Sequence, residues 1–174
     1  MASPLHRALG IVVALFGFGL TSAPVPALAG SATANLTLSA SIAQNCIIGT
    51  ATLPFGSYDP VVSNATANLD QSVTMMVTCT KGAAGITMGL GSSSNAPTGC
   101  AAPQRCLVSS GNYLNYQLYS DSGRSTVWTS AIAETVSGGT TTPTQVTIFG
   151  RIPAGRDASV GASYADTVVA TVNY

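Results

Sequence analysis

Apolar and polar residues alternate strictly from residue 34 to residue 42. Ala34, Leu36, Leu38, Ala40 and Ile42 fall on one side, and Asn35, Thr37, Ser39 and Ser41 on the other. A period of two sends successive side chains to opposite faces of an extended chain, so this stretch predicts a β-strand with one buried face. The pattern returns at residues 69–80, with Val73, Met75, Val77 and Cys79 on one face, and again at 86–90, 113–120, 144–152 and 166–174. Val127 and Trp128 begin or flank a further short strand. Turn formers separate these runs: Gly49, Pro54-Phe55-Gly56, residues 81–85, Asp121-Ser122-Gly123, Ser137-Gly138-Gly139 and Pro153-Ala154-Gly155. Residues 91–104, rich in Ser, Asn, Gly and Pro, predict a loop. Seven or so short strands without a convincing amphipathic helix predict an all-β protein, a β-sandwich in one domain with no internal repeat.

The first residues follow a different rule. His6 and Arg7 make a short basic start, residues 8–20 are almost unbroken apolar, and Ala27-Leu28-Ala29 offers small residues ahead of a cleavage point. This is the pattern of a secretory signal peptide, and the apolar run is short for a bilayer span of about 20 residues. Residues 1–29 are therefore expected to be removed after Ala29, leaving no membrane span. Residues 30–43 then become a free N-terminal segment, and residues 44–174 the folded domain.

Charge is sparse throughout, with six basic and six acidic residues. Without Arg7, the basic residues Lys81, Arg105, Arg124, Arg151 and Arg156 nearly balance the acids Asp59, Asp70, Asp121, Glu134, Asp157 and Asp166. Such a surface has no electrostatic footprint for nucleic acid or anionic lipid. It is also a surface prone to self-association. Abundant Thr, Val and Ser at low charge suit pleated strands rather than disorder.

All four cysteines lie beyond the signal segment, an even count that reads as disulfides in an exported chain. Three connectivities exist. Cys100 and Cys106 enclose only five residues, which favours a local bridge and leaves Cys46 to pair with Cys79, joining two strand-like segments. A bridge of the latter loop size stabilises by roughly 3 kcal/mol in the chain-entropy account.

Chemistry is hard to find. His6, the only histidine, is lost with the signal segment, and no Cys-x-x-Cys pair exists for zinc. The carboxylates are scattered singly, and there is no nucleophile elbow or phosphate-binding loop. Neither an enzyme nor a cofactor is expected, and no catalytic or metal-binding residue stands out.

The second half of the chain resembles a known family. Leu114-Asn115-Tyr116-Gln117-Leu118-Tyr119-Ser120-Asp121, Thr126-Val127-Trp128 and Phe149-Gly150-Arg151-Ile152-Pro153-Ala154-Gly155 look like the spore coat protein U domain. So does the ending Tyr164-Ala165-Asp166-Thr167-Val168-Val169-Ala170-Thr171-Val172-Asn173-Tyr174. The first half adds the alternating strand, Cys46, Phe55-Gly56 and Val77-Thr78-Cys79. That family includes subunits of archaic chaperone–usher pili, typified by the Csu pili, and exported proteins named for spore coats. The resemblance implies an incomplete immunoglobulin-like sandwich whose missing last strand is supplied first by a periplasmic chaperone and then by the N-terminal strand of the next subunit. The Cys100–Cys106 loop departs from the pilus members, which mostly carry only the first cysteine pair, and points to a different branch.

Two features of the residues agree with that implication. Val168, Ala170, Val172 and Tyr174 share a face in the final strand, whose edge is expected to be open for a neighbouring subunit or chaperone. Ala34, Leu36, Leu38, Ala40 and Ile42 would be the donor residues. The expected partners are other copies or related pilin subunits, a periplasmic chaperone and an outer-membrane usher. The expected location is a cell-surface pilus reached through the periplasm, serving adhesion or biofilm formation. The competing reading is a secreted monomeric coat or matrix protein that binds a surface or a carbohydrate, with Tyr113, Tyr116, Tyr119 and Trp128 as a candidate binding face. The Asn-x-Thr sequons at Asn35 and Asn64 carry no weight in a bacterial export pathway.

Overall fold

The computed structural model describes residues 29–95, 105–131, 133–136, 143–161 and 163–174. The signal segment up to residue 28, the turn at 137–139 and Cys100, and with it the Cys100–Cys106 bridge, lie outside the described residues. The chain divides into two units, Met1–Ala40 and Ser41–Tyr174. In the first, residues 29–40 belong to no strand and their side chains are exposed.

The described residues of the second unit form eight strands: β1 (Cys46–Ile48), β2 (Leu69–Cys79), β3 (Thr87–Ser93), β4 (Arg105–Ser109), β5 (Asn112–Tyr119), β6 (Glu134–Thr135), β7 (Thr144–Ile152) and β8 (Val168–Asn173). They form a five-stranded sheet, in the order β1-β2-β7-β5-β4, and a three-stranded sheet, in the order β6-β3-β8. Every strand pairing is antiparallel. Among the described residues there is no helix long and apolar enough to cross a membrane.

Alternation locates the longest strands. In β2, Val77 and Cys79 are buried and Val73 and Met75 half-buried, while Ser72, Thr74 and Met76 face out. In β5 the inward set is Leu114, Tyr116 and Leu118, and in β7 it includes Ile148 and Ile152. Trp128, 1 % exposed, fills the space between the sheets, and its indole N–H donates to the Met88 carbonyl at 3.1 Å. A buried indole with its one donor satisfied is a low-cost way to add core volume. Tyr116 is buried as well, while Tyr113 and Tyr119 are half-buried, so the four residues do not make the exposed aromatic face expected of a carbohydrate binder.

Three strands go beyond the alternating pattern. β1 and β6 are too short to show a period. β4 opens on a charged residue, and its hairpin to β5 closes through Ser110 and Gly111, with φ of 47° and 81°, in a two-residue turn that needs positive φ at both positions. β3 also runs on to Ser93, into the expected loop, because a register shift between Leu90 and Ser93 keeps it paired with β8. Ser93 is buried there and donates to the Cys106 carbonyl at 3.2 Å.

Gly150 shows how tightly the sheet is overlaid by the segment that follows β1. A Cβ at this position would lie 2.6 Å from Leu53 Cδ2 and 2.8 Å from Phe55 Cζ. The Phe55 ring cannot retreat, since it packs edge-on against Tyr116 with centroids 5.7 Å apart. Beside it, Asp70 of β2 and Arg151 of β7 are register partners and form a two-pronged ion pair, both contacts 2.7 Å, and Arg124 Nε lies 3.4 Å from the same Asp70 carboxylate. The Arg151 hydrogen bond holds the Asp70 carboxyl below its ordinary range.

Two outcomes follow. Gly150→Ala should lower stability by about 1–3 kcal/mol through overpacking, read as a lower urea midpoint at unchanged slope. A carboxyl with a depressed folded pKa contributes stability above its ordinary pKa of about 4, and that contribution is lost as pH falls through the lower folded value. Asp70→Asn should therefore flatten the decline of thermal stability below about pH 4 and leave its slope at neutral pH unchanged.

Candidate interaction cleft

After Ile48 the chain leaves the sheet. Gly49 makes the last ladder bond, donating its N–H to the Met76 carbonyl at 2.8 Å. Residues 50–55 then run without a strand partner until Leu53 and Phe55 drop onto Gly150. The Cys46–Cys79 bridge pins the start of this wall, joining residues that are also register partners of β1 and β2. Both strand-like segments and the pairing expected for these cysteines are found.

Opposite stands β8. It pairs with β3 on one side, and its other edge has no strand partner among the described residues. Between this edge and the 48–55 wall lies a cleft of about 540 Å³. Its floor is the sandwich core itself, including Val73, Met75, Leu90, Leu118 and Ile148. The side chains of Val168, Ala170 and Val172 turn inward and are only half-buried, while Val169, Thr171 and Asn173 face out. Val168 and Ala170 line the cleft. Tyr174 does not continue this face: it lies beyond the strand, 55 % exposed, and its hydroxyl donates to Asn45 Oδ1 at 3.1 Å.

A cluster of polar groups fixes the start of β8. Asp166 Oδ1 accepts from the Ser94 N–H (3.0 Å), the Ser94 hydroxyl (2.9 Å), the Asn95 side-chain amide (3.1 Å) and the Thr167 N–H (2.7 Å). Its Oδ2 accepts from the Tyr116 hydroxyl at 2.6 Å. Burial, reinforced by this bond to a carboxylate, raises the Tyr116 pKa well above the usual phenol range, so the hydroxyl stays a donor. Arg105, the register partner of Tyr116 across β4 and β5, is 2 % exposed. Its guanidinium donates to the carbonyls of Gly91 (2.8 and 3.1 Å), Leu90 (3.2 Å) and Trp128 (2.7 Å). Burial lowers its pKa, while the nearby Tyr116 and Asp166 act in the opposite direction. Arg105 thus ties β3, β4 and the Trp128 segment together behind the cleft. Nothing in the sequence marks it, because a single arginine before a short apolar run reads as a loop end.

The expected donor residues Ala34, Leu36, Leu38, Ala40 and Ile42 are not in a strand within this chain. Leu36, Leu38 and Ile42 are 82 %, 80 % and 86 % exposed. Alternation sets which face such a segment can bury, but a strand needs a ladder partner, and none is formed here. Among the described residues no group of three or more His, Cys, Asp or Glu side chains is placed to hold a metal ion. The Asn64 side chain is buried, accepting from the Asp59 N–H at 3.0 Å and donating to the Ala67 carbonyl at 3.1 Å, so that sequon serves the fold.

Removing the buried cation should be costly. Arg105→Ala leaves several carbonyls without donors and should destabilise by about 3–5 kcal/mol in chemical denaturation. Asp166→Ala should cost less, about 1–3 kcal/mol, and should make the backbone amides of Ser94 and Thr167 exchange faster with solvent.

The Spore Coat Protein U domain matches residues 32–171. Protein U of Myxococcus xanthus is 37 % identical over 159 residues, covering 86 % of this chain and 88 % of that protein. Among solved structures, a chain of the CsuC–CsuE chaperone–tip adhesion subunit pre-assembly complex from archaic chaperone–usher Csu pili of Acinetobacter baumannii shares the fold. Its TM-score is 0.50 at 19 % identity, over 76 % of this chain and 40 % of that one. An all-β sandwich with a C-terminal edge strand over an open core, matched along most of its length by one domain family, belongs to the spore coat protein U domain family.

Proposed function

We propose that this chain is a structural subunit of an archaic chaperone–usher pilus that polymerises by donor-strand complementation. The observation that carries the reading is the cleft: an apolar floor directly beneath an unpaired strand edge. A small ligand could cover the floor but could not satisfy the row of N–H and C=O groups along β8. An added strand does both, pairing its backbone with the edge while alternate side chains enter the floor. Residues 34–42 have that character, with Leu36, Leu38 and Ile42 each able to contribute about 1.5–3 kcal/mol when buried. Cleavage after Ala29 would free the segment four residues ahead of its first apolar side chain.

On this reading the partners are further copies or related pilin subunits, a periplasmic chaperone that holds the cleft during export, and an outer-membrane usher. The product is a cell-surface fibre supporting adhesion or biofilm formation, and the protein acts through assembly rather than catalysis. The domain family is named for a spore coat, which keeps a second reading in view: a secreted coat protein that stays monomeric and binds a surface. That alternative requires some segment of the same chain to close the cleft.

The two separate on one deletion. A chain lacking residues 30–43 should no longer enter polymers as a donor when co-expressed with a chaperone and usher, yet should still accept the strand of an intact subunit. Continued entry as donor, at wild-type levels, would rule the pilus reading out. Leu38→Asp should weaken polymers in the same direction, by about tenfold or more, read from the fraction that resists dissociation in detergent.

A further inference from the structure

The two ends of the sandwich differ in a way that donor-strand pairing alone does not use. At one end, where Cys46 faces Cys79 and Thr87 faces Asn173, the chain preceding β1 is tied down. The Thr80 hydroxyl donates to the Ala43 carbonyl (3.3 Å), Gln44 Nε2 to the Ala84 carbonyl (3.2 Å), the Asn45 N–H to Thr80 Oγ1 (3.1 Å) and the Tyr174 hydroxyl to Asn45 Oδ1 (3.1 Å). The folded body therefore begins at Ala43, one residue after the last apolar residue of the donor segment. Consecutive Cα atoms are about 3.8 Å apart, so there is no linker slack.

At the opposite end, where Leu69 faces Ile152, a loop displays apolar side chains on a rigid base. Asp59 Oδ1 accepts from the N–H groups of Val61 (2.9 Å) and Val62 (3.0 Å), and the buried Asn64 carries the Gly155 N–H on its carbonyl (2.8 Å). The Tyr58 hydroxyl accepts from the Arg156 N–H (2.8 Å) and donates to the Pro153 carbonyl (2.9 Å). Val61 is 81 % and Val160 fully exposed, and with Pro60 they rim a hollow of about 760 Å³. This hollow continues into the cleft, sharing Leu53, Phe55 and Leu107 with it.

We infer that the rim formed by Pro60, Val61 and Val160 is a second subunit–subunit interface, occupied by the body of the next copy of this chain. The inference rests on the donor-strand reading. Every pairing in the fold is antiparallel, and a donor antiparallel to β8 runs from the Asn173 end toward the Val168 end. Its Ile42 leaves beside the Val61–Val160 rim. With no linker, the 80–84 turn and Tyr174 of the second copy must then land on that rim. A rigid loop pays little ordering entropy to form such a contact, and burying exposed valines favours it.

The test compares two ligands on the full chain with signal removed, wild type and a Val61→Asp/Val160→Asp double variant. Both substituted side chains point into solvent, and an unchanged circular dichroism spectrum confirms the fold. At concentrations below either assembly midpoint, where both proteins are monomeric, a synthetic peptide of residues 30–43 should bind both equally. Self-assembly, followed by light scattering, should need about tenfold more of the variant to reach its midpoint. Equal peptide binding with an unchanged assembly midpoint would overturn the second interface alone. Loss of peptide binding in the variant would also overturn it, since the rim would then belong to the cleft. A wild-type chain that fails to bind the peptide would instead remove the donor-strand reading, and this inference with it.

Discussion

Among the described residues, a sheet of five strands facing a sheet of three leaves part of its inner face without a roof. Everything else about this domain depends on that shortfall. The roof is missing beside β8, where the open core meets an unpaired backbone edge. Either deficit is costly in water: apolar floor stays hydrated at about 25 cal/mol per Å², and an open edge invites pairing with any extended chain. Together they define the shape and chemistry of the missing piece, an alternating strand.

Covalent and polar ties at its margins fix the walls of the cleft. The disulfide and the Gly49 ladder bond hold one wall, and the Asp166 cluster holds the other. Arg105 braces the floor from behind with four hydrogen bonds to backbone carbonyls. Buried polar groups of this kind gain little net energy over an apolar core of equal volume, but they permit few alternative packings. A binding groove that must stay open without collapsing has use for that rigidity, since a soft wall would close over the exposed floor.

Much of this was legible in the residues. Alternation located β2, β5, β7 and β8 because each has one face on the core, and the spacing of the cysteines left Cys46 to Cys79. β4 and β6 escape the pattern because strands of two to five residues carry too few periods to read. β3 was cut short at its bulge, where Ser92 and Ser93 look like loop residues until the pairing with β8 is known. The cleft itself is a tertiary object. Its 48–55 wall has no period, and its openness follows from β8 lying at the end of a three-stranded sheet, which depends on strand order. Residues 34–42 show the reverse case: their pattern is the clearest in the chain, yet within this chain it has no ladder to join.

The most direct measurement is amide hydrogen exchange on the processed chain, held below its assembly midpoint, with and without a peptide of residues 30–43. In the free chain, the amides of β8 that point away from β3 should exchange rapidly despite lying in a strand. Adding the peptide should slow exchange across β8 and the 48–53 wall, with little change in β5 or β7. Protection of those amides in the free chain, or no change on adding the peptide, would contradict the account.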